Sequence, residues 1–292
     1  MIKYAIKDLE KITGIKAHTI RIWEKRYGIV KPSRTETNIR YYSDEDLRHL
    51  MNVAILNKYG YKISSIQSMS VTEVAQHVSD LANQDIDNDH QIDNLVMAMI
   101  ELDELRFDKI ISSAMIKYGF DYTFENLLKQ FLEKIGVLWQ TGNVNPAQEH
   151  FISQLIRQKL ILAIDGQHEL KQPHKTFLLF LPENEYHELA LLYLYYLIRK
   201  AGHMVIYLGQ NVPLVNLKDI FEIHTIDYLL TSITSNQSRE DISEFFAELS
   251  SRYGSKKILL GGNSIEINAD LIPSNAKHFK SLSDFSDFIH SI

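Results

Sequence analysis

The stretch KTFLLFLPENEYHELALLYLYYLIRK, residues 175–200, changes chemical character twice. It opens on an apolar run without alternation, passes through the polar PENEYHE, and continues as a helix-like LALLYLYYLIRK. An apolar run of this length, bounded by turn residues and followed by a helical segment, predicts a strand buried on both faces and a βα unit. At its carboxyl end stand a carboxylate and an imidazole, Glu185 and His187. Residues two apart do not face each other on a helix. On a loop leaving a strand they can, and the carboxylate then takes one ring N–H, fixes the tautomer and leaves the other nitrogen as a metal ligand.

Three more runs repeat the pattern downstream: MVIYLG (204–209), DYLLTS (227–232) and KKILLGG (256–262). Helical segments separate them, which predicts an open, parallel, Rossmann-like (flavodoxin-like) sheet over residues 174–292. Ligands of such sheets bind beyond the carboxyl ends of the strands. Those ends carry Glu185 and His187, then Gln210, Asn211 and Val212, then Ser232 and Thr234, then Gly261 and Gly262.

Upstream, from 92 to 168, apolar residues recur at helical spacing, as in Leu95, Met99, Leu102 and in Phe124, Leu127, Leu128, Phe131. Short connections make this a four-helix bundle. Within it, LWQTGNVNPAQEHF (138–151) sets Trp139 ahead of Glu149-His150 with nine residues between them. Asn145-Pro146-Ala147-Gln148 reads as a helix start, with an Asn cap, Pro in the first position and Gln reaching back. Residues 77–91 are polar and acidic without an apolar period, and are expected to be a linker.

The first 76 residues hold 13 Lys/Arg against 8 Asp/Glu, whereas the chain as a whole is at −6. A basic head on an acidic body points to a polyanion at the head alone. Residues 5–27 give a short helix ending near Thr13-Gly14, then a second, basic one carrying His18, Thr19, Arg21 and Lys25: helix-turn-helix logic. Arg34 and Arg40 bracket a small wing that ends at Tyr41, and Ser43 caps SDEDL. Trp23 and Tyr27 are expected in the core. There are no cysteines, which excludes disulfides and thiolate chemistry. No apolar run reaches the roughly 20 residues of a membrane span, and the N-terminus has no apolar signal core, so a cytoplasmic protein without membrane contact is expected.

The order HTIRIWEKRYG, RTETNIRYYS, SDEDL resembles the winged-helix domain of MerR-family transcription regulators. The resemblance implies double-stranded operator DNA as partner, read by Thr19, Arg21 and Tyr41 with His18, Lys25, Arg34 and Arg40 around them. The body resembles cobalamin-binding domains, whose D-x-H-x-x-G, S-x-L and G-G motifs match Glu185 to Ala190, Ser232-Ile233-Thr234 about forty residues on, and Gly261-Gly262. By that likeness His187 is the lower axial ligand of cobalt, and the nucleotide tail passes Ser232 towards the glycines. The Trp139 and Glu149-His150 spacing resembles the bundle of CarH/LitR-type photoreceptor repressors, where those residues surround the 5′-deoxyadenosyl group above the corrin. Departures are Glu185 for Asp, Ala190 for Gly, Thr234 for Leu, and Gln140 where light-sensing members carry a cobalt-capturing His.

The resemblance implies a repressor, not an enzyme, whose self-association as dimer or tetramer and DNA binding answer to adenosylcobalamin and light. Two other readings stay open: a regulator whose body only oligomerises or binds a partner, supported by Ala190 and Gln140, and a corrinoid carrier of a methyltransferase, which the attached head argues against.

Overall fold

The computed structural model of the protein describes residues 3–35, 38–58, 60–81, 88–140, 144–168, 170 and 174–292. The chain divides into two compact units, Met1–Leu155 and Ile156–Ile292.

In the first unit, α1 (Ile6–Thr13) stops at Gly14, whose φ of 73° is left-handed, and α2 (Ala17–Tyr27) follows. Glycine adopts that conformation without the Cβ penalty, so the turn between the helices is tight. Ile20 and Trp23 of α2 are buried with Leu9 and Ile12 of α1, while Tyr27 is half-buried. The wing is a two-stranded antiparallel ribbon, β1 (Ser33–Arg34) and β2 (Arg40–Tyr41), pairing Arg34 with Arg40. A bridge from Tyr42 to Tyr4 ties it to the start of the chain. Ser43 and Asp46 then form a reciprocal cap on α3 (Asp44–Lys58). The short α4 (Ile63–Ile66) and α5 (Val71–Leu81) complete the head, α5 packing on α3.

Four helical segments form the bundle: α6 (Asn88–Glu101), α7 (Glu104–Tyr118), the segment from α8 (Phe120–Thr123) to α9 (Lys129–Gln140), and α10 (Pro146–Asp165). A π-helical turn, Phe124–Leu128, joins α8 to α9 and keeps Phe124, Leu127 and Leu128 buried. Of the stretch expected to be a linker, 77–81 belong to α5 and 88–91 to α6, while 82–87 lie outside the described residues. Polarity hid the start of α6: His90 and Asn94, one turn apart, are both buried and hydrogen-bonded to each other at 2.9 Å. Leu102 is not part of the apolar face. It is 52% exposed, at φ 54°, in the turn before Asp103 caps α7.

The second unit holds the parallel sheet, with strands β3 (Thr176–Phe180), β4 (Met204–Gly209), β5 (Tyr228–Ser232), β6 (Lys257–Gly261) and β7 (Ala276–His278) in the order β4-β3-β5-β6-β7. Strand order therefore reverses between β3 and β5, and the crevice beyond their carboxyl ends is the switch point of a doubly wound fold. The last strand escapes a search for apolar runs because NAKHF carries only two apolar residues. Alternate residues of β3 and β5 feed two buried layers. Leu178, Phe180 and Leu229 pack with Ile242, Phe246 and Leu249 of α12 (Arg239–Tyr253). Phe177 stacks on Tyr228, which meets Phe288 of α13 (Leu282–His290), on the side covered by α11 (Leu189–Lys200). Burying both faces removes the alternation a half-exposed strand would show.

Candidate functional site

At the switch point, β3 ends and the chain turns through Pro182 to Glu188. Glu185 is fully buried, a costly place for a carboxylate. Its Oε1 accepts from the backbone N–H groups of Tyr186 and His187, both at 2.9 Å, and from His187 Nδ1 at 2.6 Å. Its Oε2 accepts from the N–H of Thr234 at 2.7 Å, the N–H of Ser235 at 2.8 Å and the Ser235 hydroxyl at 2.9 Å. Burial alone would push the carboxyl up, but the bonds from His187, Ser235 and Thr234 outweigh it and hold it well below the usual carboxylate range. Glu185 is thus an anion that orients His187 through Nδ1, so Nε2 is the atom of the ring that a metal would take. The His187 side chain is 60% exposed.

Gln210 and Asn211 brace the same loop from the end of β4. Gln210 Nε2 donates to the Tyr186 carbonyl at 2.8 Å, and Asn184 N–H donates to Asn211 Oδ1 at 3.0 Å. Val212 is half-buried against the sheet core, and its N–H donates to the Leu181 carbonyl. Ser232 is buried beside Gly261, its register partner. A Cβ on Gly261 would meet only the Ser232 hydroxyl, at 3.8 Å, whereas one on Gly262 would lie 2.3 Å from the Ile233 carbonyl oxygen. Gly262 also has φ 101°, so the fold itself demands glycine there, while Gly261 keeps spare room. Thr234 is exposed and joins the site through its backbone N–H, not its side chain. Ala190 is exposed in the first turn of α11, a regular helix that accommodates the methyl.

Glu188, directly after His187, is buried as well. Its carboxylate accepts from Arg157 Nε of α10 at 2.5 Å and from the Tyr207 hydroxyl of β4 at 2.7 Å. Burial and this bond push the Tyr207 phenol far above its ordinary value. Ser235, Glu188, Arg157 and Tyr207 carry no local sequence signal, since only folding brings them to the loop.

In the first unit, Trp139 is 58% exposed on α9 and the His150 side chain 76% exposed on α10. The expected start of α10 is present: Asn145 Oδ1 accepts the Ala147 N–H, and Gln148 Oε1 accepts the Asn145 N–H. Glu149 accepts from the Ser153 hydroxyl and lies 3.6 Å from His150 Nδ1. The side chain of Gln140 and residues 141–143 lie outside the described residues.

On the head, His18, Arg21 and Lys25 lie on the exposed face of α2, with Thr19 half-buried. Arg34 is exposed and donates to Asn38 Oδ1 at 2.7 Å. Glu24 of α2 takes Arg40 Nε at 3.4 Å and the Tyr42 hydroxyl at 3.4 Å, joining α2 to the root of the wing, where Tyr41 is half-buried. Residues 36–37 of the wing lie outside the described residues.

The donor set suits a corrin. One imidazole oriented through its Nδ1, as His187 is by Glu185, is what a metal held by a macrocycle leaves a protein to supply. His187 would be that ligand, with Glu185 behind it.

Residues 4–72 match the MerR HTH family regulatory protein model, and residues 91–163 the B12 binding domain model. Over 252 residues the chain is 26% identical to the HTH-type transcriptional repressor CarH of Myxococcus xanthus, covering 84% of each. It is also 26% identical to the repressor CarA of the same organism, over 73% of this chain and 70% of that one. The monomethylamine corrinoid protein of Methanosarcina barkeri shares the fold of 70% of the chain and 99% of its own, with a TM-score of 0.58 at 14% identity. No helix among the described residues is long and apolar enough to cross a membrane. The chain thus joins a MerR HTH region to a B12 binding domain, and over most of its length it is similar to two transcriptional repressors.

Proposed function

We propose that this regulator is a cytoplasmic repressor whose hold on operator DNA is set by adenosylcobalamin and released by light. The Glu185–His187 pair carries the reading. A buried carboxylate with six hydrogen-bond donors around it fixes one imidazole at the switch point of the sheet. His187 would be the protein's ligand to cobalt, with Gln210, Asn211 and Val212 bracing the loop and Ser232, Thr234, Gly261 and Gly262 holding the nucleotide part of the cofactor. Trp139, Glu149 and His150 would hold the adenosyl group, for which the exposed Trp139 ring offers an apolar face. Bound adenosylcobalamin supplies a cobalt–carbon bond that visible light cleaves. Residues 1–76 would act as the DNA module, 92–168 as the bundle and 174–292 as the cobalt-ligand domain.

The output is self-association, as dimer or tetramer. An oligomer presents several heads at once, and linked modules gain on the order of 10²–10⁴ in avidity. Gln140 bears on the light step: an amide is a poor cobalt ligand, so no second histidine captures the metal at that position.

The test mixes full-length cofactor-free protein with adenosylcobalamin in darkness, then records the visible spectrum and the solution mass before and after green light. A His187-dependent spectrum and a mass change on illumination are expected. No bound corrin at micromolar concentration would overturn the cofactor reading, and bound corrin without a mass change would overturn the light reading.

A further inference from the structure

Glu188 stands outside the ligand set, yet its carboxylate is only 9% exposed and both oxygens are engaged. Taking a carboxylate out of water costs several kcal/mol, and the ion pair that offsets the cost could be replaced by apolar packing. What a buried ion pair fixes that apolar packing does not is geometry. Here the geometry concerns three elements. Glu188 follows His187 without a spacer, and its carbonyl accepts the Leu192 N–H at 2.8 Å in the first turn of α11. Tyr207 approaches from β4, its ring stacked on Tyr195 of α11 at 5.4 Å. Arg157 approaches from α10, the helix that begins at Pro146 and carries Glu149 and His150 in its first turn.

A second tie lies further along the chain. Arg199 Nη2 of α11 donates to the carbonyl of Gln167, just beyond the end of α10, at 2.6 Å. Arg157 lies eight residues before the end of α10 at Asp165, about 12 Å along the helix axis, and Gln167 follows that end by two residues. The last part of α10 is therefore held at two separated points, one a backbone carbonyl and the other the carboxylate adjoining His187.

We propose that Arg157, Glu188 and Tyr207 form a latch that transmits the position of the His187 loop to α10, with the Arg199–Gln167 tie as pivot. Glu188 is then a positioning residue. Any change in the His187 backbone that accompanies ligation moves Glu188 with it, and Arg157 carries that displacement into the helix. The part of this inference that concerns cobalt rests on His187 being its ligand. The latch itself is a property of the folded chain.

Hydrogen exchange on full-length protein separates the two. In cofactor-free protein, Arg157→Met keeps the aliphatic stem of a half-exposed side chain, and Tyr207→Phe keeps the ring stack, so both should fold. Each should raise amide exchange at residues 186–189 about tenfold, the loss of one bond to a charged group; unchanged exchange there would overturn the latch. With adenosylcobalamin added in darkness, wild type should slow exchange over residues 154–161. Glu188→Gln and Arg157→Met should keep the His187-dependent visible spectrum but lose that slowing. Retained slowing in both variants would overturn transmission through the latch. Failure of wild type to bind corrin would instead overturn the cofactor reading, and the cofactor-free comparison would still decide the latch.

Discussion

Ser235 donates twice to one oxygen of Glu185, from its backbone N–H at 2.8 Å and from its hydroxyl at 2.9 Å. That pair joins the loop after β5 to the loop after β3, so the carboxylate that orients His187 is itself fixed by the neighbouring strand. Glutamate has one methylene more than the aspartate of the resembling motif, and here it spans the two loops.

Replacing Glu185 by Ala should destabilise the second unit by about 3 kcal/mol or more, because it strands buried N–H donors. His187→Ala removes a mostly exposed ring and leaves Glu185 its other five donors, so its cost should stay within about 1 kcal/mol. Urea unfolding followed by far-ultraviolet circular dichroism measures both. Glu185 also stabilises in a pH-dependent way. Its folded pKa is depressed, so its contribution is complete above the ordinary value of 4.5 and is lost as pH falls below it.

The two glycines at the end of β6 should separate fold from ligand. Gly262→Ala places a Cβ 2.3 Å from the Ile233 carbonyl oxygen at φ 101° and should cost about 2–4 kcal/mol or prevent folding. Gly261→Ala meets only the Ser232 hydroxyl at 3.8 Å, so melting should shift little. Its effect should instead appear as weaker corrin binding in a spectroscopic titration.

His90 gives the first unit a pH dependence of its own. Burial lowers its pKa from 6.5 to about 4, Asp93 opposing and Lys58 assisting. The unfolded chain then binds the proton first, so stability should fall between about pH 6.5 and 4, by on the order of 3 kcal/mol, and level off below. His90→Gln should flatten that limb of a stability-against-pH curve while leaving the Glu185-dependent limb in place.

Arg21 is exposed on α2, and Arg40 sits at the wing root beside Glu24. Alanine at Arg21 should weaken DNA binding and reduce the salt slope by about 0.9 for each phosphate the side chain no longer neutralises. Equal affinity and equal slope for Arg40→Ala would remove the wing from the interface. Gel-shift titrations at several salt concentrations decide both.

Trp139→Ala should change the stability of the first unit by no more than about 0.5 kcal/mol, since the ring is mostly solvated. The same substitution should weaken adenosylcobalamin binding. Equal corrin affinity in both proteins would take Trp139 out of the proposed site.

Periodicity and end signals determined most of this architecture. Gly14, the Ser43 cap and the Asn145-Pro146 start are local instructions, written within a few residues of the turns and helix ends they set. Apolar runs located β3 to β6, because a strand buried on both faces must be apolar throughout. His187 and its carboxylate were legible too, two residues apart at a strand end.

Tertiary structure decided what local rules cannot express. The start of α6 is polar in sequence although its His90 and Asn94 are buried, where they hydrogen-bond each other, and β7 is too short and mixed to announce itself. Ser235 lies 50 residues from Glu185, and Arg157 lies 31 from Glu188. The Ser235 bond depends on strand order, which places β5 beside β3, and the Arg157 bond on the end of α10 lying against the same loop. The sequence alone named the imidazole. Only the sheet's reversal between β3 and β5 assembled the charges and donors that hold it.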